Sequence, residues 1–250
     1  MKTPEIKNLS SAVEEVARGN LLKLFADSPI PAEERITQLF LYMRKQDIAR
    51  LLMLNELFEK ILPVQGNILD FGTRWGRNMV IFQALSAIYE PYNHGRKIIG
   101  FDSFEGFPAV HELDGKDSIV KEGAYATTPN YDDHLQQVLS AQGVQNPLSH
   151  IARTELRKGD ASVTVTEYFK ANPESSVALA YFDFDIYLPT KACLEAIKDR
   201  VTKGSIIAFD ELNSHSFPGE TQALKEVFGF DAYPIRRSKF SSIQAYIEIQ

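Results

Sequence analysis

"NILDFGTRWGRN", residues 67–78, is the stretch that decides how this chain folds. Residues 67–71 form a short, mainly apolar run of strand character. Gly72 and Gly76 then let the backbone turn tightly and let a ligand approach it, and residues 79–89 read as a helix whose free N–H groups face that turn. Strand, glycine turn and helix in that order make half of a parallel crossover unit. The spacing is G-x-x-x-G, neither the G-x-G-x-x-G of dinucleotide enzymes nor a Walker loop, which needs Gly-Lys-Ser/Thr.

Working outward, the same alternation continues. KIIGFD reads as a strand and is followed by a long loop over 103–130. A helix over 131–141 leads to the strand IARTEL, which stops at KGD, and a helix over 162–170 leads to SVALAYFDFD. The next helix is expected after Pro189, the strand GSIIAFDEL follows it, and ETQALKEVF reads as one more helix. The C-terminus reads as two strands, DAYPI and SIQAYIEI, with a basic turn between them. Upstream, apolar residues over 33–62 recur at three- and four-residue spacing, a helical pattern ended by Pro63 and Gly66. The expected architecture is α/β: a Rossmann-like, mostly parallel sheet with an antiparallel C-terminal edge. We expect one domain over 1–250, with a helical N-terminal extension over 1–62 and the core over 63–250.

Composition narrows the function. The chain has 33 acidic against 27 basic residues, a net charge of −6, which argues against a nucleic-acid partner. No run is apolar enough to span a membrane. The N-terminal stretch MKTPEIKNLSSAVEEVARGN carries acids early and lacks the apolar run of a secretory signal. Cys193 is the only cysteine, so no intrachain disulfide forms, in keeping with an expected cytoplasmic location.

In a parallel sheet, ligands sit at the carboxyl ends of the strands. Four strands here end in acids: Asp70, Asp102, Asp183 with Asp185, and Asp210 with Glu211. Asp102 is placed to accept the hydroxyls of a ribose, or to cap a loop. Asp160 is placed to bind an adenine amino group, or to act as a plain helix N-cap. Trp75 covers a ligand or simply packs. Asp183 and Asp185 project to one face if the strand continues. Twenty-seven residues separate Asp183 from Asp210, one crossover, so the two strand ends can be neighbours. Four carboxyl groups converging repel one another unless a cation offsets them, and a hard divalent ion with oxygen ligands, Mg2+ above all, does so. Zinc is disfavoured because its Cys and His ligands are missing from these stretches. His215, facing a substrate, and the basic group Arg236, Arg237 and Lys239, holding a substrate phosphate, are weaker candidates.

Together these segments resemble the S-adenosylmethionine-dependent sugar O-methyltransferases of the macrocin, mycinamicin and novobiocin group. "GNILDFGTRWGRN" is similar to that family's Glu-Thr-Gly-Val-Trp-Arg-Gly-Gly loop. "FDSFEGFP" matches Asp-Ser-Phe-Glu-Gly-Leu-Pro almost residue for residue, and "KGDASVTVTEYF" resembles the segment after the third strand. "FDFDIYLPT" resembles Asp-Gly-Asp-Leu-Tyr-Glu-Ser-Thr, and "KGSIIAFDEL" resembles Gly-Gly-Tyr-Val-Ile-Val-Asp-Asp. The resemblance implies that Asp70, Gly72, Gly76, Asp102, Ser103 and Asp160 bind S-adenosylmethionine, with Thr73, Trp75 and Ala161 in the same segments. It implies that Asp183, Asp210 and Glu211 hold Mg2+ or another divalent cation, and that Asp185 is the general base. A sugar or nucleotide-sugar acceptor and a homo-oligomer are implied as well. Three positions depart from the family: Asp70 stands for Glu, Phe184 for Gly, and Glu211 for Asp. The rival readings are an O-methyltransferase of catechol-like vicinal diols, a nicotinamide-dependent oxidoreductase and a non-catalytic binding protein. The helical N-terminus and the 103–130 loop are the expected lid.

Overall fold

The computed structural model describes residues 10–250; the part of the expected N-terminal extension on 1–9 lies outside the described residues. Helix α1 (Ala12–Ala26) starts at a capping box, in which Glu14 N–H donates to Ser11 Oγ and Ser11 N–H donates to the Glu14 carboxylate at 2.8 Å. No residue of α1 is buried. The helical pattern over 33–62 resolves into α2 (Ala32–Arg35), a 3-10 segment (Ile36–Leu41) and α3 (Lys45–Ile61). Only α3 is amphipathic in earnest: Met53, Leu54, Leu57, Phe58 and Ile61 are all buried.

The core then alternates as expected. Its elements are β1 (Asn67–Phe71), α4 (Arg77–Tyr89), β2 (Ile98–Asp102), α5 (Tyr131–Val144), β3 (Thr154–Lys158) and α6 (Ala161–Ala171). They continue with β4 (Val177–Phe182), α7 (Tyr187–Ile197), β5 (Val201–Phe209), α8 (Gly219–Val227), β6 (Arg236–Arg237) and β7 (Ala245–Glu248). The sheet order is β3-β2-β1-β4-β5-β7-β6. β1 to β5 pair in parallel, and β7 runs antiparallel to β5 and β6. The chain builds outward from β1 to β3, then returns to place β4 on the other side of β1. That reversal opens a crevice above β1 and β4, where such sheets bind ligands.

Two expectations shift. The helix expected after Pro189 begins at Tyr187, because proline is tolerated in a first turn, where its missing N–H has no intrahelical partner to lose. At the C-terminus the strand expected over DAYPI does not form; the supposed basic turn, Arg236–Arg237, is itself the edge strand and pairs with Ala245 and Tyr246. Pro234 cannot donate to a ladder, so pairing begins only after it.

The two sheet faces bury separate apolar clusters, one under α6, α7 and α8, the other under α3, α4 and α5. On the first face Phe101, Phe71, Phe182 and Phe209 lie in register on β2, β1, β4 and β5. Their rings stack at 5.0, 4.7 and 5.3 Å. Each such pair contributes about 0.5–1.5 kcal/mol beyond the area it buries. For Phe101, Phe182 and Phe209 the next residue is an aspartate. The layer therefore fixes the height at which those carboxylates emerge.

Candidate active site

The tips of β1 to β5 open into one cavity of about 600 Å³. The turn after β1 forms one wall. Gly72 has φ +86°, and a Cβ there would lie 2.2 Å from the carbonyl oxygen of Asp183, so only glycine lets this turn pass the tip of β4. Gly76, also left-handed, is the N-cap of α4. Thr73 Oγ1 donates to the Asp70 carbonyl at 3.1 Å, and the half-exposed Trp75 sets its ring edge-on to Tyr131 at 4.6 Å.

Asp102 and Ser103 line the adjoining wall. The Asp102 carboxylate accepts from Arg74 N–H at 2.7 Å and from Phe104 N–H at 2.6 Å. Burial raises its pKa while these two donors pull it back. Asp160 and Ala161 also line the cavity, and Asp160 is the α6 N-cap, accepting from Ser162 N–H at 2.9 Å. Its capping role and its place in the cavity wall coexist.

Asp70 differs from the other candidates. It is fully buried, and it lies beneath the cavity rather than in its wall. Asn78 donates to its Oδ1 at 3.0 Å, while Oδ2 has no partner. Burial pushes its pKa up to about 6. The unfolded chain releases this proton near the ordinary carboxylate value, so between there and about pH 6 stability falls as pH rises. We expect the melting temperature of Asp70→Asn to fall less steeply with pH across that window than that of the wild type. Superimposable melting profiles would show that Asp70 is not the group responsible.

The acids gather on the opposite wall. Asp183, Asp185, Asp210 and Glu211 all line the cavity. Between them sits a residue the sequence reading missed. Arg50 of α3 donates to Asp183 Oδ2 at 3.1 Å and to Asp210 Oδ1 at 2.5 Å, and also reaches Asn78 Oδ1 and the Tyr181 hydroxyl. Asp210 Oδ1 further accepts from Tyr181 Oη at 2.7 Å and Gln244 Nε2 at 2.7 Å. One guanidinium does not balance four carboxyl groups. Burial first, then the charge of Asp210, lifts Asp183 to about 7. Asp185 is lifted well above the usual range by burial and by Asp183, Asp210 and Glu211. Glu211 rises by burial and by Asp210.

No group of three or more His, Cys, Asp or Glu side chains among the described residues is arranged to hold a metal ion. Asp183 and Asp210 instead point their carboxylates at Arg50. Their donor chemistry nonetheless suits a hard cation: only oxygen ligands, with a surplus of negative charge.

A second missed residue is Glu220, fully buried in the first turn of α8. Its carboxylate accepts from the N–H groups of Phe184, Asp185 and Glu211. Both Arg50 and Glu220 had a sequence signal. Arg50 continues the apolar stripe of Leu54, Leu57, Phe58 and Ile61; Glu220 continues that of Ala223, Leu224 and Val227. All seven of those apolar residues are buried, and a charge on such a stripe needs a buried partner.

The weaker candidates fall elsewhere. His215 lines a separate cavity with Lys116 and Gln222. Arg236 and Arg237 are exposed on the edge strand, and Cys193 is a buried thiol in the core. Of the expected lid, the 103–130 loop contributes Tyr125, with φ +64°, under the Arg74 guanidinium at 4.8 Å. Of the described residues of the N-terminal extension, only Arg50 reaches the cavity. No helix among the described residues is long and apolar enough to cross a membrane.

Comparison with known proteins agrees with this geometry. No family model and no curated protein matches the chain. Among solved structures, the crystal structure of CalS11, described as a calicheamicin methyltransferase, is 39% identical with a TM-score of 0.93, over 99% of each chain. An apo structure of CalS11, described as a TDP-rhamnose 3'-O-methyltransferase in calicheamicin biosynthesis, is also 39% identical, over 96% of each chain with a TM-score of 0.85. The O-methyltransferase NovP shares the fold at 18% identity and a TM-score of 0.61, over 81% of this chain and 80% of its own.

Proposed function

This chain belongs to the sugar O-methyltransferase family, and from that membership we propose that it moves a methyl group from S-adenosylmethionine to a hydroxyl of a nucleotide sugar, with Mg2+ or another divalent cation. One observation carries the reading: the glycine turn, Asp102 and the acids of β4 and β5 share a single cavity. A donor held on one wall and an acceptor held on the other then meet across it.

On the donor wall Gly72, Thr73, Trp75, Gly76, Asp102, Ser103, Asp160 and Ala161 are the cofactor residues, with Asp70 supporting them from below. Asp102 accepts the ribose hydroxyls with the lone pairs its backbone donors leave. S-adenosylmethionine supplies an already activated methyl group. The protein's task is therefore alignment and removal of one proton. On the acceptor wall Asp185 takes that proton. Asp183, Asp210 and Glu211 are the residues to hold the divalent ion, which when bound supplies charge that acidifies a neighbouring hydroxyl. Arg50 neutralises part of the same cluster and keeps Asp183 and Asp210 at their strand tips.

The test is an acceptor panel with S-adenosylhomocysteine release as the readout. We expect TDP-rhamnose to be turned over and catechol not, activity to vanish in EDTA, and Mg2+ to restore it. Turnover of catechol alone would move the assignment to vicinal diols. Full activity in EDTA would remove the metal from the proposal.

A further inference from the structure

The structure assigns to Glu220 the role of a positioning residue, one that fixes Asp185 and Glu211 relative to each other through their backbones. The inference rests on the reading of Asp185 as base and Glu211 as cation ligand. β4 and β5 end at Phe182 and Phe209, so Asp185 and Glu211 lie beyond the ladder that orders their strands. Their main chains need other partners. Glu220 supplies them: Oε1 accepts from Phe184 N–H at 3.2 Å and Asp185 N–H at 3.3 Å, and Oε2 accepts from Glu211 N–H at 3.1 Å. One carboxylate thus ties two loop ends from adjacent strands.

The tie matters most at Asp185, whose φ is +64°. Aspartate tolerates this left-handed region better than most residues, but a single such conformation persists in a loop only where its surroundings hold it. The surroundings here do so from two sides. Glu220 holds the N–H of Asp185, and the buried Asp114 holds the next turn, accepting from Tyr187 N–H at 2.5 Å. α8 is itself held in place. A Cβ on Gly219 would lie 2.6 Å from Tyr187 N and 2.9 Å from Asp114 Oδ1, so the helix start is pressed against this segment. Glu220 does not itself line the cavity and contacts it only through the backbones of Phe184, Asp185 and Glu211. Its effect reaches the reaction only through the placement of the two acids.

Glu220→Gln tests this with little change in packing. A glutamine has one acceptor oxygen, so its NH2 must face either the Phe184 and Asp185 N–H groups or that of Glu211, and one loop end is released. We expect kcat for TDP-rhamnose to fall about 100-fold, as for a small misplacement of reacting groups. Calorimetric affinity for S-adenosylhomocysteine should stay within about twofold, since the donor wall is untouched. Amide hydrogen exchange at Asp185 or Glu211 should speed up about 10- to 100-fold, because the released N–H has lost its acceptor. Unchanged kcat with unchanged exchange at both amides overturns the assignment. So does a loss of cofactor affinity in step with kcat, which would make Glu220 a residue of the fold alone. A wild-type protein inactive on TDP-rhamnose counts against the acceptor reading only, and the exchange measurement then decides Glu220 by itself.

Discussion

Asp185→Asn is expected to lower kcat by about 10²–10⁴-fold, the usual range for losing a general base, while affinity for S-adenosylhomocysteine is retained. Asparagine is the informative substitution. It occupies the left-handed region as readily as aspartate, so the φ of +64° is kept. Its N–H still faces Glu220. Only the charge goes. That charge is unfavourable in the folded chain, because burial and three neighbouring acids lift the Asp185 pKa. In the unfolded chain the same carboxyl ionises near its ordinary value, so it costs stability progressively as pH rises above that value. The variant should therefore melt higher than the wild type at neutral pH while turning over far more slowly. Gain in stability with loss of rate is the mark of a strained functional group. Should kcat survive within a few-fold, Asp185 is not the base, and the proton must leave by another route.

Much of the fold was legible because its units are local. Strand, glycine turn and helix at 67–89 gave the parallel crossover, and the repetition of that pattern gave the sheet. Parallel pairing followed from the crossover connections, whereas the first strand of the C-terminal edge was misplaced. There Pro234 displaced pairing onto Arg236 and Arg237, a matter of which N–H groups are available rather than of apolar pattern. The site was half legible. Acids recurring at strand ends located the cavity, but the phenylalanine layer beneath them was overlooked as a device for levelling those ends. Asp70 was assigned to the cofactor on motif position; its side chain, one carbon shorter than the family's Glu, lies under the turn.

What the sequence hid is the partner of each charge. Arg50 and Glu220 come from helices 133 residues before Asp183 and 35 residues after Asp185. Nothing local links them to the strand tips. Both nevertheless break the apolar stripe of an otherwise ordinary amphipathic helix. A reading that asked where such a charge finds compensation would have pointed to the acid cluster at the strand tips. For Glu220 the partners are backbone N–H groups, which every residue but proline carries, so no sequence search identifies them.

Arg50→Met carries the largest expected loss of stability. The side chain is 10% exposed, and its guanidinium pairs Asp183 and Asp210, themselves 27% and 12% exposed. Removing one partner of a buried ion pair costs about 3–5 kcal/mol, because the remaining charges are left uncompensated. Methionine fills much of the stem volume, so the loss reports charge rather than a cavity. The sign with pH follows from the acids. In the wild type Asp183 already ionises only at about 7, and without Arg50 its pKa moves higher still. Below that value Asp183 is protonated and Arg50 faces the charge of Asp210 alone. The destabilisation should therefore be smaller near about pH 5, where only Asp210 is left uncompensated, and grow toward about pH 8. Millimolar Mg2+ should raise the melting temperature of the variant more than that of the wild type, because no guanidinium competes for the same oxygens and a ligand of the folded state stabilises according to its affinity. A loss independent of pH would mean that Arg50 works by packing. A loss that follows pH but is insensitive to Mg2+ would leave the charge argument standing and take the divalent ion away from these carboxylates.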